Sequence, residues 1–186
     1  MLITGIDPGL HGALAFLDTD AAKMCIGDMP LFEFYTTRTR KKVDPFAVAR
    51  WMHDLKPHHV YLEDVASSTQ QGVVSAFSFG EGKGILYGVA VAIGIPVTMP
   101  KPNDWKKQMR CPADKRATVQ RASQLFPALA PLFKGPRGGV FDGRAEACLL
   151  ALFAAMELGC VPTTAVTPWG IEGDETNTSE ITGILR

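Results

Sequence analysis

Four carboxylates lie at positions where acidic side chains are costly unless they have a partner. Asp7 and Glu63 each come at the end of an apolar strand pattern, and Asp142 and Glu146 lie four apart at the start of the last apolar helix pattern. Carboxylates are rarely buried unpaired, and residues four apart share one side of a helix. Carboxylate oxygens are the ligands of hard divalent ions, and two such ions need several of them. The pattern therefore indicates a two-metal site that activates water against a phosphodiester.

Each of these acids also has a simpler explanation, and the sequence leaves both open. Asp7 is followed by Pro-Gly and can serve the turn alone. Asp142 can cap a helix whose dipole favours Glu146. Glu146 nevertheless shares its helical stripe with apolar residues, which predicts that it faces the interior. Strand alternation points Asp64 away from Glu63, so we expect Asp64 at the rim and Glu63 as the functional acid.

The elements that must bring these acids together are strands followed by strand–helix units. Three apolar runs with short turns predict an antiparallel meander at the start of the chain. The later units place helices on both faces of a mixed sheet. The predicted strands cover residues 2–7, 13–17, 24–29, 59–65 and 97–99, and the predicted helices cover residues 44–55, 75–93, 103–109, 114–125 and 145–158. The predicted fold class is α/β, with a mixed five-stranded sheet.

Length and composition bound the class of protein. The chain has 186 residues, of which 46% are hydrophobic and 20% charged, as in an ordinary globular domain. No apolar run approaches the ~18 residues of a membrane span, and no leader pattern opens the chain. The four cysteines are scattered without a C-x-x-C pair, so neither a zinc site nor a disulfide framework is predicted. We expect a cytoplasmic protein without a membrane partner.

Basic residues concentrate in the middle of the chain, although the formal net charge is zero. Residues 98–146 contain ten lysines and arginines against four acids. Flexible cations along a groove suit phosphate contacts, although a solvated helix surface would show the same pattern. The candidate DNA-binding residues are Lys106, Lys107, Arg110, Lys115 and Arg116 on two short helices, with Arg40 and Lys41 in an exposed loop predicted over residues 36–42.

Three motifs together resemble the RuvC-type Holliday-junction resolvases, most closely the compact forms of phages and prophages. The motifs are GIDPG at Gly5–Gly9, LED at Leu62–Asp64 and DGRAEA at Asp142–Ala147. The resemblance implies a ribonuclease H-like fold. It extends over residues 1–158, which would form the nuclease domain, and we expect residues 159–186 to be an acidic, flexible tail.

The resemblance implies a homodimer that cuts crossing strands of a four-way DNA junction with two Mg²⁺ or Mn²⁺ ions per site. Asp7, Glu63, Asp142 and Glu146 fall on the four metal-binding acids of the family. The last pair departs from the bacterial resolvases, where two aspartates usually lie three apart. The aromatic residue with which those enzymes open the junction has no counterpart near Ala66.

Two other functions compete with a metal-dependent, structure-selective endonuclease. The altered spacing of Asp142 and Glu146 is compatible with a catalytically silent protein that binds junctions. The GIDPG motif also resembles a phosphate loop of actin-like ATPases, but 186 residues do not provide the second lobe that those proteins need. The glycines of Gly80–Gly84 match no nucleotide-loop template, so they predict close helix packing, against the sheet or a second subunit, and no nucleotide cofactor.

Overall fold

A six-stranded mixed sheet forms the centre of the fold in the computed structural model, which describes residues 1–35, 39–66, 72–112 and 114–169. The strands are β1 (Leu2–Asp7), β2 (Ala13–Asp18), β3 (Lys23–Asp28), β4 (Leu31–Tyr35), β5 (Thr39–Val43), β6 (His59–Leu62), β7 (Val97–Thr98) and β8 (Thr167–Pro168). The α-helices are α1 (Pro45–Leu55), α2 (Val73–Ala92), α3 (Pro102–Gln108), α4 (Lys115–Leu125) and α5 (Asp142–Glu157).

The strand order β7-β6-β1-β2-β3-β8 confirms the predicted mixed sheet. β1, β2 and β3 form the antiparallel meander, β6 pairs parallel with β1, and β7 pairs parallel with β6. Ile6 of β1 lies opposite Leu62 of β6. Because parallel strands end at the same edge of a sheet, Asp7 and Glu63 follow these two residues side by side.

The predicted number of strands in this sheet, five, is wrong by one. β8 pairs parallel with β3, through hydrogen bonds of 2.9 Å from the Thr167 amide to the Ala22 carbonyl and from the Trp169 amide to the Met24 carbonyl. A two-residue strand that includes a proline has no periodicity that a sequence could reveal. The sheet thus includes residues from the segment that the sequence assigns to the tail. Residues 170–186 of that segment lie outside the described residues.

A β-hairpin replaces part of the exposed loop predicted over residues 36–42. β4 and β5 pair antiparallel from Leu31 opposite Val43 to Tyr35 opposite Thr39, and residues 36–38 lie outside the described residues. The loop prediction is wrong for residues 39–42 because their basic composition hides a strand alternation. Along β5, burial alternates and reaches a fully buried residue at Val43, as expected for a strand with one covered face.

Helices cover both faces of the sheet, as predicted, and alternation along β1 separates two cores. Ile3 belongs to a cluster with residues of α4 and α5, and Leu2 and Ile6 belong to a cluster with residues of α1 and α2. Tyr61 and Leu62 divide in the same way along β6. None of the helices in the described ranges combines the length and apolar character needed to cross a bilayer.

Gly5 allows α5 to lie directly on β1. A Cβ at Gly5 would lie 2.3 Å from the carbonyl oxygen of Ala147 and 2.5 Å from the amide nitrogen of Ala151, so any side chain there would overlap the helix backbone. Asp7 and Glu63 continue the alternation that places Ile3 and Tyr61 on the α5 face. The close strand–helix contact therefore positions the start of α5 over the ends of both strands.

The glycines of α2 are only partly explained by packing inside the chain. A Cβ at Gly82, which is buried, would lie 3.2 Å from Cγ2 of Val43. A Cβ at Gly80, Gly84 or Gly88 would meet no described atom within 4 Å. Close packing against the β5 strand accounts for Gly82, whereas the other three glycines lie on an open face of the helix.

Candidate active site

Asp7 ends β1, and its two carboxylate oxygens face different neighbours. Oδ1 accepts a hydrogen bond from the Gly9 amide at 3.1 Å, so one oxygen already serves the turn. A Cβ at Gly143, in the first turn of α5, would lie 3.0 Å from Oδ2. Burial raises the pKa of Asp7 to about 6, and the charges of Glu146 and Asp142 contribute, although the Gly9 hydrogen bond opposes the rise. The second oxygen therefore faces a site where negative charge accumulates.

Glu63 follows β6 beside Asp7 and is 4% exposed. Its amide donates to the Ile6 carbonyl at 3.1 Å, which extends the β1–β6 ladder. The indole Nε1 of Trp105, on α3, donates to Glu63 Oε1 at 3.0 Å. Burial raises the pKa of Glu63 to about 7, although Lys106 lowers it in part. Glu63 is thus a buried carboxyl held in place by one neutral donor.

Lys106 lies between two of the predicted metal-binding acids. Its Nζ donates to Glu146 Oε1 at 2.9 Å and lies 3.8 Å from Glu63 Oε1. The same ammonium lies 5.2 Å from the centroid of the Trp105 ring, within the range of a cation–π contact. Burial lowers the pKa of Lys106, but the charges of Glu146 and Glu63 outweigh it and leave the pKa raised. Lys106 is the local countercharge of the acids.

Asp142 and Glu146 extend from the first two turns of α5, yet they have different partners. The N-cap of α5 is Phe141, and Asp142 accepts from Lys115 Nζ of α4 at 2.5 Å. The capping interpretation of Asp142 is therefore wrong. The side chain of Glu146 is 16% exposed, as predicted for an inward-facing residue. The four acids thus divide into an inner set near Lys106 and Asp142 at the rim.

Within the described residues, the predicted acids lie near one another but do not form a closed metal site. In the same part of the chain, no three acidic, histidine or cysteine side chains are placed closely enough to hold one metal ion. The Lys106 ammonium takes the central position instead. The site's donors, the oxygens of Asp7, Glu63 and Glu146, are those that Mg²⁺ and Mn²⁺ prefer. Their chemistry fits such ions, provided that Lys106 moves.

The predicted DNA-binding residues occupy several surfaces. Lys106 faces the acids rather than solvent, and Lys115 is exposed but paired with Asp142. Lys41 is exposed and Arg40 half-buried on β5, away from α3 and α4 in the fold. The remaining exposed cations of this set, on or just after α3 and on α4, are Lys107, Arg110 and Arg116. Their contact with DNA stays a prediction.

The partners of two further residues near the acids could not be assigned from the sequence. Trp105 appears there only as an aromatic residue among lysines, and nothing in the spacing reveals its hydrogen bond to Glu63. Asp64 lies at the rim, as alternation predicts, and is paired with Lys83 of α2. Both contacts join residues that are distant in sequence, so only the folded chain shows them.

The metal-free protein should lose stability as the pH rises from about 4 to about 7. The folded-state pKa values of Asp7 and Glu63, about 6 and about 7, lie above the ordinary values of 3.8 and 4.5. A carboxyl with a raised folded pKa contributes stability that is complete below its ordinary pKa and lost as the pH rises through the folded pKa. Thermal unfolding in EDTA at closely spaced pH values should therefore show a falling midpoint. The variant Glu63→Gln should flatten this fall, and a level or rising midpoint in the wild type would contradict the prediction.

Replacing Lys106 by Met should destabilise the metal-free protein by about 2 kcal/mol at pH 8, because a buried acid cluster loses its countercharge. The effect should shrink at pH 5, where Glu63 is protonated, and added Mn²⁺ should recover part of the loss. Urea unfolding measures these differences. Lys107→Met, on the exposed side of the same helix, is the matched control and should stay close to the wild type. Equal effects of the two substitutions would show that Lys106 has no special place among the acids.

Comparisons with known proteins agree with this architecture. No family model and no curated protein matches the sequence. RuvC of Thermus thermophilus bound to a Holliday junction substrate matches with a TM-score of 0.54 and 17% identity, over 87% of this chain and 99% of that chain. A second structure of Thermus thermophilus RuvC gives 0.51 and 16%, with the same coverage of 87% and 99%. The yeast mitochondrial Holliday junction resolvase gives 0.44 and 14%, over 80% of this chain and 75% of that chain.

The similarity covers almost the whole of both RuvC chains, although the identity is low. It therefore bears on the arrangement of the sheet and helices, and it confirms the fold that the resemblance implies. The phage-like compact form and the roles of individual residues stay predictions. The chain has the ribonuclease H-like α/β fold of RuvC.

Proposed function

We propose that this protein is a divalent-metal-dependent endonuclease that cuts branched DNA, with the four-way junction as its substrate. One observation carries the proposal: Asp7 and Glu63 from two adjacent strands and Glu146 from α5 converge near a single ammonium group, that of Lys106. Burying several acids together is unfavourable for stability. A cluster of buried acids is expected where a protein binds metal ions and a phosphate. The similarity to the fold of RuvC supports that function for these acids.

The four acids divide the work of holding the ions. Asp7, Glu63 and Glu146 would bind two ions, and Asp142 would complete the shell. Such ions, when bound, supply the charge that polarises a phosphodiester and lowers the pKa of the attacking water. The hydrogen bond from Trp105 to Oε1 keeps the Glu63 side chain in one orientation and leaves Oε2 available.

The two lysines next to the acids give the site a way to respond to a phosphate. When divalent ions neutralise the acids, the Lys106 side chain can move so that its ammonium contacts a phosphate oxygen instead of Glu146. Lys115, whose side chain is 75% exposed, can do the same from the rim position at Asp142. Charge-assisted contacts to phosphate from flexible lysines orient the backbone without reading base sequence. Recognition would therefore follow the shape of the DNA.

The proposal is tested by incubating the protein with a labelled four-way junction and with a linear duplex of matched sequence, in Mg²⁺, in Mn²⁺ or in EDTA. The expected result is paired, symmetric nicks in the junction, absent from the duplex and abolished by EDTA, with 5′-phosphate and 3′-hydroxyl ends. Paired nicks require two sites, so we also propose a homodimer, measured by light scattering. Cutting that persists in EDTA would overturn the proposed metal dependence.

A catalytically silent junction-binding protein is the second candidate function. It is favoured by the pairing of both acids of α5 with lysines, Asp142 with Lys115 and Glu146 with Lys106. If these ion pairs are permanent, the acids need no metal. Tight binding of the junction without cutting in either metal would support this function and reject the nuclease.

A further inference from the structure

A groove between the β4–β5 hairpin and the first half of α2 lies beside the proposed cutting site and is not used by it. It consists of two adjoining cavities of about 520 and 610 Å³, and Arg40, Lys41, Val74 and Ser78 border both of them. The first cavity also reaches Pro8, the residue after Asp7. We name this surface the hairpin groove. It leads from the predicted acids toward the hairpin.

The charge of the hairpin groove suits an anion. The first cavity is bordered by two cations, Arg40 and Lys41, and by no acid. The Nε of Arg40 is buried and finds no hydrogen-bond partner among the described residues. A buried donor without an acceptor is costly, so the Arg40 side chain would gain a hydrogen bond by turning toward an acceptor that a ligand brings into the groove. The planar guanidinium group matches phosphate oxygens in particular.

The hairpin is held against α2 in a way that leaves Arg40 available. Lys42 Nζ lies 2.6 Å from Glu81 of α2, which fixes the wall of the groove and neutralises that lysine. Lys41 pairs with Glu33 at 3.2 Å across the exposed surface of the hairpin. Arg40 forms no ion pair within the part of the chain that the structure describes, so its charge is available to a ligand in the groove.

The other lining residues suit nucleotide bases and sugars. Leu10, Val74 and Phe79 give the first cavity apolar surface, and Ser75 and Ser78 add hydroxyl groups. Val74 is 63% exposed and lies beside Val73 and Phe77, which are 86% and 76% exposed. A contiguous exposed apolar patch marks an interaction site. Single-stranded nucleic acid binds where cations follow its backbone and apolar or aromatic side chains contact its bases. Cavities of this volume have the size of small-ligand sites and are too small to enclose a duplex.

We propose that the hairpin groove binds a short single-stranded DNA segment, the unpaired nucleotides next to the strand that is cut. Arg40 contacts a phosphate, Val74 and Phe79 contact bases, and Pro8 marks the end of the groove toward the acids. The inference rests on the proposed action on branched DNA, where strands separate at the crossing point. It assigns to the hairpin the recognition of an open junction.

The test measures binding of a fluorescent ten-nucleotide oligothymidine and of a duplex with the same number of phosphates, in EDTA so that nothing is cut. Arg40→Gln should weaken oligothymidine binding about tenfold because it removes a charge-assisted phosphate contact. Val74→Glu should weaken it about tenfold because it places a negative charge against the bound strand. Arg40→Gln should also reduce the salt slope by about 0.7, the value for one phosphate contact of a single strand. Duplex binding should change less than oligothymidine binding.

Matched controls lie outside the groove. Arg50→Gln changes an exposed arginine on α1, and Val161→Glu changes a valine that is 48% exposed; both should bind oligothymidine as the wild type does. Unchanged binding by the groove variants, equal losses for duplex and oligothymidine, or no oligothymidine binding by the wild type would each overturn the inference. If the wild type cuts the junction but the groove variants bind oligothymidine as the wild type does, the groove is rejected and the nuclease is kept. Selective losses in a protein that cuts no junction would reject the nuclease and keep the groove.

Discussion

Asp7→Asn should reduce metal-dependent cutting of a four-way junction by about a thousandfold or more, since ion-mediated charge stabilisation is worth several kcal/mol. Asp7 Oδ2 faces the start of α5, and an amide there cannot neutralise a divalent ion. The turn should remain, because an Asn side-chain oxygen can still accept from the Gly9 amide as Oδ1 does at 3.1 Å. Single-turnover cutting in Mg²⁺ and in Mn²⁺ measures the loss.

The stability of the Asp7→Asn variant shows whether a loss of cutting comes from a missing metal ligand or from unfolding. Since the pKa of Asp7 is raised to about 6, its charge opposes folding above that pH. The variant should therefore be more stable than the wild type at pH 8 in EDTA, by about 2 kcal/mol, and similar near pH 4. Junction binding should persist. Cutting at the wild-type rate by a folded Asp7→Asn protein would remove Asp7 from the catalytic set.

Gly5→Ala should destabilise the protein by about 3 kcal/mol or more, at the upper end of what overpacking costs. The added methyl group would lie 2.3 Å from the Ala147 carbonyl oxygen and 2.5 Å from the Ala151 amide nitrogen. Both contacts are backbone atoms of α5, which cannot turn aside as a side chain can. The helix must move away from β1, and Glu146 moves with it. Urea unfolding measures the loss, and junction cutting should fall in parallel.

Gly80→Ala is the matched control for Gly5→Ala. A Cβ at Gly80 would meet no described atom within 4 Å, and alanine is favoured over glycine inside a helix by up to about 1 kcal/mol. This variant should be as stable as the wild type or more stable. If Gly5→Ala unfolds at the same urea concentration as Gly80→Ala, the close contact between β1 and α5 does not limit the fold.

Local sequence signals were sufficient for most elements. Asp44 predicts the start of α1, and its side chain does accept from the amides of Phe46 and Ala47, at 2.9 and 3.2 Å. The meander and the order of strands and helices follow from apolar runs and turns in the same way. The missed strands are β4, β5 and β8. β4 and β5 pair with each other as a hairpin, and β5 consists largely of basic residues. β8 is a two-residue strand that pairs with the open edge of β3.

The sequence by itself determined which acids stand at the ends of which elements. An apolar run that ends in Asp7, another that ends in Glu63 and a helix that begins with Asp142 are local patterns, and alternation decides which face each acid takes. These patterns were enough to predict the ribonuclease H-like fold through its motifs and to indicate a site for hard cations.

Only the tertiary structure decided how the charges are paired. Lys106 lies between Glu63 and Glu146, and Lys115 pairs with Asp142, although the sequence suggests only that these lysines belong to a basic surface. The hairpin groove likewise joins Arg40 of β5 to α2. Such contacts join residues separated by tens of positions, and they depend on how closely α3, α4 and α5 approach the sheet. The distance between the helices and the sheet depends on packing at residues such as Gly5, and no local sequence pattern predicts it.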